Sequence, residues 1–377
     1  MEMISVKRGR QGADVRDKNH KYMRIADAVR GEILSGVYSG SRALPSEHML
    51  AERYGVSRVT VRQALALLER EGLISRSQGL GTTVADGIYR YRSPRLGRVG
   101  LITWDTEDYM FGAVAESARE TLAQQGFSLE IRCLEASFRN KREALQDFLA
   151  MDIDGLILEG MLTALPTPNM DLYQAFLEKG IPIVQMNGVH AGLKAPSITT
   201  DDREMIAALV DHLASLGHRS IGGLFNPTES QSVKRFGGYV DGLSRNGLTF
   251  EDSRVLFMAF KDFMYVFDNM FYARHRSIME CTAIVCTNDI VARFLEATLL
   301  RAGIDVPGRM SLTGMDNAFT VRPGQLTLTT ATYPSREVGT RAAQMLMTMV
   351  RTGRDVPDEV VPMALCIGES TARLCLG

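Results

Sequence analysis

Arg58, Thr60 and Arg62 fall within the first turn and a half of SRVTVRQALALLEREG, a segment whose Val61, Ala64, Leu65 and Leu68 recur at helical spacing. Cations near a helix N-terminus oppose its dipole, so for stability alone these arginines are badly placed. They are well placed if that end enters a DNA major groove, where a guanidinium meets guanine O6 and N7 bidentately and discriminates by about 1–3 kcal/mol. Shortly after, Gln78, Gly79 and Gly81 lie at the tip between two β-prone runs, Leu73–Arg76 and Thr82–Val84. No helix and no Gly-Lys-Ser/Thr follows, which excludes a phosphate loop and leaves a hairpin wing. Its glycines let the backbone approach the sugar-phosphate edge, and Gln78 can reach a minor groove.

A second set of polar residues stands directly after apolar runs: Trp104-Asp105 with Tyr109 and Phe111, then Asn187, Asp201-Asp202, Arg235, Asn288-Asp289, Asp316-Asn317 and Tyr333. Carboxylates and a guanidinium meet vicinal hydroxyls bidentately, and aromatic faces cover the C–H side of a sugar, so this set suits a neutral polyol. Asp and Asn after strands are equally ordinary helix caps, and for Asp201, Asp202 and Asp289 both readings stand. Arg235, on a helix beginning near Gln231, resists the capping explanation. It is expected to offer sugar hydroxyls a forked pair of donors, and replacing it should spare the fold.

Positioning these residues requires two kinds of architecture. Tyr22, Ile25, Ala26, Val29, Ile33 and Leu34 predict a first amphipathic helix ending at Gly36; Ser46 caps a second that Gly55 ends, and Ser57 caps the third, closed by Gly72. Two short helices across a tight Gly turn, followed by a hairpin, predict a winged helix-turn-helix over residues 20–85. The polar stretch 86–97 reads as a linker. From residue 98 to 377, RVGLIT, SLEIRCL, DGLILEG, IPIVQM, SIGGLFN, VLFMAF, AIVCTN and MSLTGMD read as strands. Amphipathic segments such as 112–125 and 202–216 lie between them. Such alternation predicts an α/β body of two Rossmann-like parallel-sheet lobes, with its ligand at the carboxyl ends of the strands.

Composition agrees. The 377 residues allow two or three domains, and no stretch approaches the roughly 18–20 apolar residues that span a bilayer. The first twenty residues are basic and polar, without the apolar core of a secretory signal, so a cytoplasmic protein is expected. Its five cysteines form neither a disulfide framework nor a metal pair. The near-zero net charge conceals an asymmetry: residues 1–92 carry 16 basic against 10 acidic side chains, the remainder 27 against 34. A basic head on an acidic body suits a head that meets a polyanion.

IADAVRGEILSGVY, LPSEHMLAERYGVSRVTVRQALALLEREGLI and QGLGTTV resemble the DNA-binding head of the GntR family. That resemblance implies base contacts from Arg58, Arg62 and Gln78 and phosphate contacts from Ser46, Ser57 and Thr60. His48 follows Pro-Ser-Glu, where members carry a basic or polar contact. LITWD, MDIDGLILEG, GIPIVQMNG, DHLASLGHRSIGGL, KRFGGYVDGL, AIVCTNDIVA and MSLTGMD resemble the effector domain of the lactose/galactose repressors and their periplasmic sugar-binding relatives. A GntR-type head on such a body is similar to the arabinose repressors. This implies that Asn187, Arg235, Asn288 and Asp316 hold sugar hydroxyls, and that a homodimer on double-stranded operator DNA is released by a small sugar, a pentose such as arabinose favoured. An activator or corepressor-dependent regulator of the same architecture is the alternative. An enzyme is disfavoured, because no dinucleotide fingerprint, P-loop, metal-spaced His/Cys set or Schiff-base lysine setting occurs, and no cofactor is expected.

Overall fold

The computed structural model describes residues 12–77, 81–91, 96–104, 110–259, 262, 267, 271–317 and 325–374. Of the residues singled out above, Gln78, Gly79, Asp105 and Tyr109 lie outside them. The chain divides into two compact units: Met1–Arg95 with Lys179–Ile181 and Met347–Asp355, and the remainder.

In the first unit, helices α1 (Gly12–Leu34), α2 (Glu47–Tyr54) and α3 (Arg58–Arg70) precede a hairpin of β1 (Ile74–Ser77) and β2 (Gly81–Val84). The caps are those the sequence predicts. Ser46 Oγ accepts from Met49 N at 3.3 Å, Ser57 Oγ from Thr60 N at 3.2 Å, and Gly55 takes φ +61° to turn the chain between the two helices. Leu44, held extended before Pro45, donates its N–H to Thr82 O at 2.9 Å, so the segment before α2 pairs with the wing. Ile25, Val29 and Ile33 close over Leu50, Val61, Leu65, Leu68, Ile74 and Val84 in one core. Fully burying each such side chain contributes about 1.5–3 kcal/mol.

Two differences from expectation appear here. Helix α1 begins at Gly12, well before Tyr22. Residues 86–91, expected as linker, pack within this unit: Tyr89 is 3% exposed and donates to Ile33 O at 2.9 Å, and Tyr91 donates to Asp355. Aromatic rings supply the burial that a polar linker would lack.

The second unit holds two parallel sheets. The first has the order β13-β7-β6-β5-β3-β4, from β3 (Arg98–Thr103), β4 (Ser128–Cys133), β5 (Gly155–Glu159), β6 (Ile183–Met186), β7 (Ser197–Thr200) and β13 (Glu359–Val361). The second has the order β11-β10-β8-β9, from β8 (Ile221–Phe225), β9 (Val255–Phe257), β10 (Ala283–Cys286) and β11 (Ser311–Thr313). Strands β12 (Thr330–Thr332) and β14 (Ala364–Cys366) form an antiparallel pair. Helices α4 (Phe111–Ala123), α5 (Phe138–Ala150), α6 (Met170–Glu178), α7 (Asp202–Ser215) and α8 (Ser230–Arg245) alternate with the strands, as do α9 (Phe271–Arg274), α10 (Arg276–Met279), α11 (Asp289–Arg301) and α12 (Ser335–Thr352). Right-handed β–α–β crossovers bury both faces of such sheets, which is why their strands read as unbroken apolar runs. Helices α7 and α8 approach so closely that a Cβ on Gly238 would stand 2.0 Å from Arg203 O. This contact locks the helix that carries Arg235.

Candidate functional site

The first unit presents the N-terminal end of α3 to solvent. Arg58 and Arg62 are exposed, and no acceptor among the described residues reaches the Arg58 guanidinium. Arg62 is held: its Nε and Nη2 donate to the Glu47 carboxylate at 3.2 and 2.9 Å, bridging α2 and α3. That hydrogen bond keeps the Glu47 carboxyl below the usual range, with Arg76 and Arg58 adding to it. Ser57 Oγ and Thr60 Oγ1 lie 2.8 Å apart beside the helix start, and Gly81, at φ +81°, has open space around its Cα. His48 sits exposed on α2, 3.4 Å from Glu52.

The second unit encloses a cavity of about 160 Å³ between its two sheets, at the carboxyl ends of their strands. From the first lobe come Trp104 after β3, Met110 and Phe111 opening α4, Glu159 ending β5, and Asn187 after β6. From the second come Asn226 after β8, Glu229 and Arg235 of the α8 region, Asn288 after β10 and Asp316 after β11. Trp104, Phe111, Asn187, Arg235, Asn288 and Asp316 thus line one cavity.

Asn187, Asp316, Asn288 and Arg235 are held by neighbours. Asn187 (φ +63°) and Asp316 (φ +100°) both occupy the left-handed region, a strain that persists only where the surroundings enforce it. Asn187 Oδ1 accepts from the Tyr333 hydroxyl, while its Nδ2 is buried with no partner among the described residues. Leaving such a donor unpaired costs about 1–3 kcal/mol. Asn288 does double duty: its Oδ1 caps α11 by accepting from Val291 N at 3.0 Å, and it lines the cavity.

Tyr333 departs from expectation. It is buried and does not line the cavity; its hydroxyl meets the cleft residue Asn187 and its backbone N–H donates to Asp316 O at 3.1 Å. Arg235 departs in part. Its Nε donates to Asp202 Oδ1 at 2.7 Å, Nη1 to Thr287 O at 2.5 Å and Nη2 to Asp316 Oδ1 at 3.1 Å. Burial works against its charge, yet Asp316 and Asp202 hold it firmly protonated. A guanidinium has five N–H bonds, so one on each Nη is left to point elsewhere. Asp202 therefore serves as the partner of Arg235, also accepting from Thr200 Oγ1 at 2.8 Å, whereas Asp201 accepts from Met363 N and Asp289 from Thr330 Oγ1.

The sequence reading missed Glu159, Asn226 and Glu229. Glu159 and Asn226 closed the runs DGLILEG and SIGGLFN and were absorbed into the strands; a polar residue ending an otherwise apolar run was the signal. Behind them Lys141, 1% exposed on α5, donates to Met161 O at 2.8 Å. Burial lowers its ammonium to about 8, while Glu229 and Glu159 oppose that shift. The lobes also touch directly: Glu229 accepts from Leu162 N at 3.0 Å, and Ser230 Oγ lies 2.8 Å from Thr163 Oγ1.

Comparison with known proteins agrees with this division. Residues 21–84 match the family described as bacterial regulatory proteins, gntR family, and residues 210–371 match the periplasmic binding protein-like domain. An arabinose metabolism transcriptional repressor of Geobacillus stearothermophilus is 29% identical over 359 residues, 94% of this chain and 98% of that protein. Among solved structures, the transcription regulator CcpA of Lactococcus lactis superposes with a TM-score of 0.65 at 18% identity, over 74% of this chain and 100% of its own. A LacI family transcriptional regulator from Enterococcus faecium with bound ribose gives 0.62 at 20%, over 74% and 100%. These relatives are transcription regulators, not enzymes, and at such identities the structures establish the fold alone.

Proposed function

We propose that this chain, a gntR-type winged helix joined to a two-lobed periplasmic-binding-protein-like domain, is a transcription repressor that leaves its operator when a small sugar binds between the lobes. The observation that carries this reading is the junction, on one chain, of an exposed arginine-bearing helix end and a cleft lined by Asn187, Arg235, Asn288 and Asp316. The protein works in the cytoplasm as a homodimer on double-stranded DNA, since one winged helix covers a small contact area and operators are read as two-fold half-sites. Arg58 and Arg62 read bases, and Gln78 and Gly79 contribute to the same DNA contact. Asn187, Arg235, Asn288 and Asp316 hold hydroxyls, and Trp104 and Phe111 cover the C–H face of the ring. A pentose such as arabinose is the favoured effector, supported by what the Geobacillus relative regulates. The sugar shifts the equilibrium only by its preference for the released form, and a useful response needs about 1–3 kcal/mol of coupling.

The test is a selection of binding sites by the full chain from random duplex DNA, followed by fluorescence anisotropy on the selected site at several salt concentrations and with free monosaccharides. One two-fold sequence should be enriched, binding should weaken steeply with salt, and one sugar should release it. Failure to enrich any sequence removes the DNA half of the reading.

A further inference from the structure

We propose that Glu159 and Glu229 are effector-binding residues, a carboxylate pair that accepts hydroxyl hydrogens from one uncharged monosaccharide and turns away phosphorylated or carboxylated sugars. This rests on the reading of the cleft as the effector site. The two residues line the same cavity from opposite lobes. Glu159 is 5% exposed, and its Oε2 accepts from Thr103 Oγ1 at 3.0 Å and Trp104 N at 2.9 Å. Glu229, at the start of α8, accepts from Leu162 N on its own Oε2. Among the described residues no donor reaches either Oε1, so each carboxylate is anchored by one oxygen and keeps the other for a ligand.

Charge decides which ligand. Arg235 lies between Asp202 and Asp316, and Lys141 is the cation behind Glu159 and Glu229, so with both glutamates ionised these six groups sum to two negative charges and with both protonated to none. A phosphate or carboxylate entering this cleft meets like charge once the glutamates are ionised, which disfavours it. A hydroxyl instead forms a charge-assisted hydrogen bond to an ionised carboxylate. Burial pushes both carboxyls up to about 7, so neither is locked in the ionised state before the hydroxyls arrive. The cavity volume of about 160 Å³ is many times the roughly 10–15 Å³ that holds one water, which is room for a sugar ring.

The experiment is calorimetry on the full chain with L-arabinose, D-xylose, D-ribose, D-galactose and D-glucose, and with D-ribose 5-phosphate, D-glucose 6-phosphate and D-glucuronate. At least one free sugar should bind and the charged ones should not. Glu159→Gln and Glu229→Gln should each weaken that sugar roughly 10- to 150-fold, the loss of a charged hydrogen bond, and narrow the preference over its phosphate, with binding to the selected DNA site unchanged. If the buried Glu159 variant does not fold, Glu229→Gln on the opposite lobe decides the matter alone. Unchanged affinity in the folded variants overturns the proposal. A charged sugar binding more tightly than its free form also overturns it, but leaves the sugar-released repressor standing. Silence of the whole panel, with DNA binding intact, overturns both.

Discussion

Tyr333 holds Asn187 from behind: the phenol donates to Asn187 Oδ1 and leaves Nδ2 buried in the cleft wall without a partner among the described residues. Burial, with the Glu159 charge adding to it, raises the phenol well above its ordinary value, so it remains a donor at any physiological pH. The two residues are far apart in sequence, and their contact orients an amide whose buried Nδ2 has no acceptor among the described residues.

Tyr333→Phe removes that hydroxyl and nothing else. The amide of Asn187 is then free to turn, and the effector sugar should bind about 2- to 12-fold more weakly, the worth of one neutral hydrogen bond. Calorimetry on the variant checks this, and DNA affinity without sugar should match the parent chain. An unchanged sugar affinity would mean that Asn187 keeps its orientation unaided.

Arg235→Ala should cost more than effector binding. It leaves Asp202 and Asp316 buried, each without its cation, and breaking a buried pair in this way costs about 3–5 kcal/mol. In a domain of this size that corresponds to roughly 6–20 °C in melting temperature. Arg235→Lys should retain charge but lose the planar set of bonds to Asp202, Thr287 O and Asp316, and so rescue melting better than sugar affinity. Differential scanning calorimetry beside a sugar titration separates the two effects; an Ala variant that melts like the parent contradicts the buried pair.

Glu47→Gln tests whether the carboxylate organises Arg62 for base recognition. The pair is exposed, so its contribution to stability is about 0–1 kcal/mol and melting should barely move. Specific binding should weaken by a few-fold to about tenfold as the guanidinium gains freedom, while affinity for unrelated DNA holds or rises with the loss of a negative charge. The specificity ratio, measured by anisotropy at fixed salt, is the informative quantity. Arg62→Ala should abolish it.

Effector affinity should rise with pH. Glu159 and Glu229 titrate near 7 before ligand arrives; Lys141 and Tyr333 face Glu159, Lys141 faces Glu229, and the two carboxylates face each other. Hydroxyl donors favour the ionised form, so binding expels protons and should tighten about tenfold per carboxyl between pH 6 and pH 8. The sign for stability is the reverse. The fold holds these protons more tightly than the unfolded chain, so the ligand-free protein should lose stability as pH rises from about 4.5 to about 7. A flat affinity profile across this range would show that the carboxyls do not receive the sugar's hydroxyls.

By itself the sequence determined what depends on neighbours a few residues apart. The caps at Ser46 and Ser57, the turn at Gly55 and the alternation of apolar runs with helices were all legible, because hydrogen bonds within one turn and side-chain periodicity are local. So was the placement of Trp104, Phe111, Asn187, Arg235, Asn288 and Asp316 around one cavity, since chain reversal after a parallel strand leaves the next residue at the open end of the sheet. The tertiary structure decided the short strands β7, β12, β13 and β14, three or four residues each, whose pattern is too brief to show a period. It also decided which polar group serves which. Whether Arg235 faces a ligand or Asp202 and Asp316, whether Tyr333 lines the cleft or braces Asn187, and whether Glu159 is a strand end or a cavity wall all turn on partners distant in the chain. Contacts of that kind follow from how sheets and helices pack, and no local spacing encodes them.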